Sequence, residues 1–226
     1  MIQKRAEPER FAAKVRECVS GYAARRFLVR ARRGRWIPEP GEIVVLDLGR
    51  EATVADLHYL KGKAEIVDGR LEVIAPASFA ASRAAGAILS GLMTYGDEHD
   101  GGWAFGSTLA YLVDLPHRKS LCPDAAWYTG PRAGAGFPPI APVFAAEIRD
   151  DADYREEYED HFTAKRADYF AAGTQVVWDV DVLREELIRV YRADDPENPT
   201  IYRRGEVAEA EPAVPGWRFP VDELFD

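Results

Sequence analysis

The stretch AEIVDGRLEVI (64–74) constrains this chain most, because two apolar-alternating arms flank Asp68-Gly69, the composition of a two-residue type I′ hairpin turn. Such a turn sets the register. With Val67 opposite Arg70, Ile66 faces Leu71 and Glu65 faces Glu72, so Ala64, Ile66, Leu71 and Val73 make one apolar face and the two glutamates meet on the other. Two carboxylates about 5 Å apart repel by roughly 3 kcal/mol at an effective dielectric near 20, and by much less if fully hydrated. A bound cation would remove that penalty. A solvent-facing pair moderated by Lys63 or Arg70 would do so as well, and the hairpin alone leaves both readings open.

The flanking segments supply the rest of a mixed sheet. EIVVLDLG reads as a strand, ATVADLHYL as a short helix capped by Thr53, and SFAASRAAGAILSGLMTYGDEH as a helix capped by Ser78 that stops before Gly101-Gly102. Strands are expected in AFGSTLAYLVDL, PDAAWYT and PVFAAEI, the last a continuous apolar run of the kind buried on both faces. A charged helix from about Tyr154 to Ala172, stopped by Gly173, leads to the strand TQVVWDVD, and further strands and a turn follow to the C-terminus. From Ser78 onward the order is helix, three strands, helix, strand. The fold class expected is α/β with an α+β mixed sheet.

Charge is unevenly distributed. Residues 1–37 hold eleven Lys or Arg against three acids, a net of +8, which leaves about −17 on the remainder of a chain whose net charge is −9. An acidic body binds nucleic acid only where cations or a basic patch offset the repulsion. The arginines at 25, 26, 30, 32, 33 and 35 are the available patch, unless they simply coat a solvated helix over Glu9–Val29. No run approaches the roughly 18 apolar residues of a membrane span, and MIQKRAEPER is not followed by an apolar signal core. Cys18 and Cys122 have neither disulfide-scaffold nor zinc spacing, so the expected location is the reducing cytoplasm.

Several residues carry candidate chemistry. Glu147 ends the buried run PVFAAEI, where an unpaired carboxylate is costly and requires a metal, a cation such as Arg149, or solvent at the strand end. Asp124 follows Pro123 at the start of a strand. Lys165 shares the inward stripe of its helix with Tyr158, Phe162, Tyr169 and Ala172, so its ammonium either meets an anion or snorkels to water. His161, one turn earlier, either supports that site or packs. Glu65, Asp124 and Glu147 with Lys165 form an acidic set suited to Mg2+ or Mn2+ and phosphodiester chemistry. No Gly-x-Ser-x-Gly elbow, Walker A sequence or His-x-x-x-His pair is present, so other hydrolytic and nucleotide-binding chemistries are disfavoured.

Taken in order, AEIVDGRLEVIAP, CPDAAW, AAEI, KRADYFAAGTQVVWDVD and PVDELF resemble the Uma2 family (DUF820) of restriction-endonuclease-like proteins, within the PD-(D/E)XK nuclease superfamily. The resemblance runs from about Ala52 to Phe225. It implies a restriction-endonuclease-like core with added N- and C-terminal strands; the chain reads as a basic extension over 1–50, additional to the family pattern, followed by the nuclease-like domain over 51–226. It further implies Asp124 and Glu147 as ligands of Mg2+ or Mn2+, Glu65 as an additional acidic ligand, and Lys165 as the catalytic lysine moved from strand to helix. Glu72, Arg149 and His161 are secondary candidates, and Tyr169 and Gly173 would be structural. DNA is the implied partner, homodimers being common among such nucleases. Arg149 stands where a strand lysine is usual, IRDDADY replaces a Ser-Pro-Ser segment, and Ala81 replaces a frequent His. Alternatives are a nuclease fold kept for binding without cleavage and a hydrolase of another phosphate ester.

Overall fold

The computed structural model describes residues 40–46, 48–60 and 62–225. The expected helix at Glu9–Val29 and the arginine-rich arm lie outside them. The hairpin forms as its turn chemistry requires: strands β2 (Ala64–Val67) and β3 (Arg70–Ile74) pair Glu65 with Glu72 and Ile66 with Leu71. Asp68 and Gly69 take φ of 49° and 68°, the left-handed pair of a type I′ turn. Strand β1 (Ile43–Leu46) adds to the free edge of β3, giving a three-stranded antiparallel sheet. Helix α1 (Val54–Leu57) closes its apolar face, and Asp56 of that helix accepts from the Thr53 amide and hydroxyl at 2.8 and 2.9 Å. Residues 43–46 are thus hydrogen-bonded to the hairpin.

The second sheet has six strands and carries the core. Helix α2 (Phe79–Glu98) precedes β4 (Trp103–Gly106), and two short strands, β5 (Tyr111–Leu112) and β6 (Ser120–Leu121), form a separate ribbon. Then come β7 (Ala125–Tyr128), β8 (Phe144–Ile148), a 3-10 turn (Asp151–Tyr154), α3 (Glu156–Ala171) and β9 (Val176–Asp181). Strands β10 (Leu187–Arg192) and β11 (Asp195–Arg203) complete the order β11-β10-β9-β8-β7-β4. Only β8 and β9 are parallel, as their connection through α3 demands. The helix, three-strand, helix, strand order is therefore present as α2, β4, β7, β8, α3 and β9.

Period-two alternation decides which side of the sheet each residue serves. Phe144, Ala146, Ile148, Val176, Trp178 and Val180 pack toward Ala84, Ile88 and Leu92 of α2. The hairpin of β12 (Val207–Ala210) and β13 (Val214–Pro220) closes that layer, with Trp217 stacked on Trp178 at 5.1 Å and Phe144 edge-on to Trp178 at 5.1 Å. The intervening residues, Ala145 and Val177 among them, pack against Tyr169 of α3. Glu147, between Ala146 and Ile148, is thereby turned toward α3.

One expected strand is divided. AFGSTLAYLVDL is expected as one strand, but the chain leaves the large sheet after Gly106, where Thr108 N–H donates to Gly106 C=O, and β5 pairs with β6 instead. Alternation records which residues face inward. It does not record which sheet they belong to. β4 is the edge strand of its sheet, so no outer neighbour holds the chain in line, and Tyr111 is buried in the cluster of Ala126 and Tyr128.

Asp150, in the unusual IRDDADY segment, links the two layers. It accepts from Ser78 N–H at the start of α2 at 2.7 Å and from Asp151 N–H at 2.9 Å, and its own N–H donates to Asp153. Gly41, at φ +76°, lies so close that a Cβ there would sit 2.9 Å from Asp150 Cβ. The core prediction is direct. Phe144→Ala should lower unfolding free energy by about 3–5 kcal/mol in urea titrations, through lost burial and a cavity beneath Trp178 and Trp217.

Candidate active site

Asp124 and Glu147 meet because β7 and β8 are antiparallel neighbours in the register Ala125 to Ala146. Asp124 N–H donates to Ala146 C=O at 2.9 Å, and Asp124 Oδ2 accepts from Ile148 N–H at 3.0 Å. The Asp124 side chain is thus clamped to the end of β8, beside Glu147. Glu147 is 6% exposed and accepts at Oε1 from the Tyr169 hydroxyl at 2.6 Å and from Lys165 Nζ at 2.8 Å. Both donors lie on the inward stripe of α3, one turn apart.

Lys165 joins the two sheets. Its Nζ is 2.9 Å from Glu65 Oε1 as well as 2.8 Å from Glu147, so one ammonium bridges the hairpin and the central strand. Of the two sequence readings, inward pairing holds and snorkelling does not. Burial alone would lower the lysine pKa, but the Glu147 and Glu65 charges more than compensate and hold it above its ordinary value. Glu65 is 1% exposed and fully engaged: Oε1 also accepts from Cys122 N–H at 2.8 Å, and Oε2 accepts from Arg118 at 2.5 Å. Burial would raise its pKa, yet Lys165 and Arg118 hold it at about 2.

Lys63 is the principal residue that sequence reading passed over. The sequence suggests it only as a moderator of the Glu65–Glu72 pair, whereas its Nζ lies 2.7 Å from Asp124 Oδ1 and 3.6 Å from Glu147 Oε2. Burial would depress its pKa, but the Asp124 and Glu147 charges carry it well above the ordinary lysine value. The available signal was period two, which puts Lys63 on the same strand face as Glu65. Arg118 was also missed. It is 2% exposed and ties Glu65 to Asp168 of α3 at 2.6 Å, and Asp168 in turn hydrogen-bonds His117 at 2.7 Å. Local sequence gives no sign of this, because Arg118 lies in a short, charged connection.

The remaining candidates fall outside the central contacts. Arg149 forks onto Asp179 at 2.7 and 2.6 Å and reaches Glu159 at 2.7 Å, so it does not neutralise Glu147. Glu72 has its pKa raised by burial and by Glu65. His161 packs at a tilt beside Tyr158, and burial together with the nearby Lys165 charge lowers its pKa to about 4. Among the described residues, no three His, Cys, Asp or Glu side chains converge as a ready ligand cluster. Asp124 and Glu147 form a pair. Glu65 faces them across Lys165, with both its oxygens already bonded to cations.

Asp153 was not singled out from sequence, yet burial, reinforced by the Glu147 charge, raises its pKa to about 7. Its ordinary value is 3.8, so between about pH 4 and 7 the folded chain keeps a proton that the unfolded chain has released. The stabilisation it provides is complete below about pH 4 and lost as pH rises through 7. Urea titrations in chelator should show wild type losing on the order of 3 kcal/mol more than Asp153→Asn across that window.

Comparison with known proteins bears on this arrangement. None of the curated proteins matches the chain. The crystal structure of a putative nuclease belonging to DUF820 from Anabaena variabilis ATCC 29413 shares the fold, with a TM-score of 0.60 at 18% identity over 77% of this chain and 97% of that one. The α2 to β9 core is accordingly of the restriction-endonuclease-like kind. The sequence model of the Uma2 family, described as putative restriction endonuclease, matches residues 54–222, a span that includes Glu65, Asp124, Glu147 and Lys165. With well over half of its length inside that match, the chain belongs to the Uma2 family.

Proposed function

We propose that this protein is an endonuclease that hydrolyses DNA phosphodiester bonds with Mg2+ or Mn2+ held by Asp124 and Glu147. The observation that carries the reading is the pairing of those carboxylates at adjacent strand ends with the Lys165 ammonium 2.8 Å from Glu147. The donor set suits such an ion: Mg2+ is commonly held by one or two carboxylates and completes its shell with waters and substrate phosphate. When bound, the ion supplies an activated water and neutralises charge on the phosphate.

The chain's own groups do the positioning. Clamping of Asp124 by Ile148 N–H and of Glu147 by Tyr169 fixes the ligand oxygens before any ion arrives. Lys165 spends two of its three protons on Glu65 and Glu147, leaving one to orient a water or a phosphate oxygen. In this reading Glu65 and Arg118 act as the anchor that holds Lys165 in place, and Glu65 is not itself a metal ligand. In this proposal Asp124, Glu147 and Lys165 take the roles that the resemblance implies, and Glu65 takes the anchoring one.

A second reading has a specific observation behind it. Lys63, Lys165 and Arg118 already pair with Glu65, Asp124 and Glu147, as a fold kept for binding and not for cleavage would allow. Incubation with supercoiled plasmid and with single-stranded DNA separates the two. Cleavage should appear with Mg2+ or Mn2+ and stop in chelator, and Asp124→Asn, Glu147→Gln and Lys165→Met should each slow it by about 10²–10³-fold. Retention of DNA without cleavage under any divalent ion would establish the second reading instead.

A further inference from the structure

We propose that Lys63 is a built-in counter-ion of the Asp124–Glu147 pair, whose ammonium a divalent cation must displace in order to bind. The inference rests on the metal-dependent reading above and concerns a residue that reading does not use.

The disposition of carboxylate oxygens points to it. Asp124 Oδ2 is taken by Ile148 N–H, and Glu147 Oε1 by Tyr169 and Lys165. The two oxygens left for an ion are Asp124 Oδ1 and Glu147 Oε2, and these are the oxygens that Lys63 faces, at 2.7 and 3.6 Å. A metal bound at about 2.1 Å competes for the same lone pairs. With the Lys63 side chain only 14% exposed, water provides little screening between two cations held there together.

Lys63 is built to leave. Its carbonyl accepts from Ile74 N–H at 3.0 Å, so the backbone is pinned to the end of β3 and any displacement of the ammonium is made by rotation about the bonds of the four-carbon stem. Gly62 precedes it at φ +129°, with nothing within 4 Å of where a Cβ there would stand. Exchange of a single positive charge for a double one makes the pocket one unit more positive. The displaced ammonium, still tethered by its backbone but away from the carboxylate pair, adds a second attraction for an arriving phosphate. Metal affinity and phosphate affinity are then linked, since each moves Lys63 away from Asp124.

Calorimetric titration of Mn2+ into wild type, Lys63→Met, Lys63→Arg and Asp124→Ala tests this without any substrate. Lys63→Met should bind about tenfold or more tightly than wild type, Lys63→Arg should not, and Asp124→Ala should abolish binding. Measurable binding by Lys63→Met alone would also support displacement. Equal or weaker binding by Lys63→Met, with Asp124→Ala still abolishing it, would overturn the counter-ion role while leaving the metal site standing. If neither wild type nor Lys63→Met binds Mn2+, the metal reading falls and the inference falls with it. Amine acylation of the wild-type protein, read by mass spectrometry, covers the case in which Lys63→Met does not fold. Labelling of Lys63 should rise on adding Mn2+, and unchanged labelling at saturating Mn2+ would refute displacement.

Discussion

The contact on which this molecule depends is the Lys165 ammonium held between Glu65 and Glu147. It joins three parts at one point: the small hairpin sheet, the central strand β8 and the helix α3. Breaking it would leave two buried carboxylates short of a cation, a far larger penalty than the modest value of an exposed ion pair. Buried ion pairs are poor sources of net stability, because desolvation offsets most of the attraction. Here the stability comes from the aromatic and aliphatic layer on the α2 side of the sheet, and the ionic layer on the α3 side holds geometry.

That division follows from the strand pleat. β8 sends Phe144, Ala146 and Ile148 to one layer and Glu147 to the other, and β9 does the same with Trp178 and Asp179. Each strand contributes to the core and to polar chemistry at once. The charges on the polar side sort into two neighbouring groups. Arg149 satisfies Asp179 and Glu159, while Lys63, Lys165 and Arg118 satisfy Asp124, Glu147, Glu65 and Asp168. The first group is exhausted by its forked, bidentate pairing. In the second, Lys63 holds its carboxylates by single contacts through a flexible stem, which leaves it the more exchangeable of the two.

Glu65, Glu147 and Lys165 stood out in the sequence because each had a local mark. Glu65 sits beside a turn whose chemistry dictates register, Glu147 ends a run too apolar for solvent, and Lys165 falls on the inward stripe of its helix. Arg118 had no such mark, since nothing in a short charged connection distinguishes a solvated arginine from one buried between Glu65 and Asp168. The division of AFGSTLAYLVDL into β4 and β5 was hidden for a related reason. Hydrophobic alternation describes one face of a strand and carries no information about its hydrogen-bonding neighbour.

Sequence by itself determined the elements that short-range chemistry controls: the type I′ turn, the Glu65–Glu72 register, the caps at Thr53 and Ser78, the buried β8 run and the inward Lys165. Tertiary structure decided which opposite charges meet, turning Arg149 away to Asp179, bringing Lys63 across 61 residues to Asp124 and bringing Arg118 across 53 to Glu65. The physical reason is range. Backbone geometry and periodicity act over a few residues, whereas a carboxylate removed from water takes whichever cation the packing of distant strands places within about 3 Å.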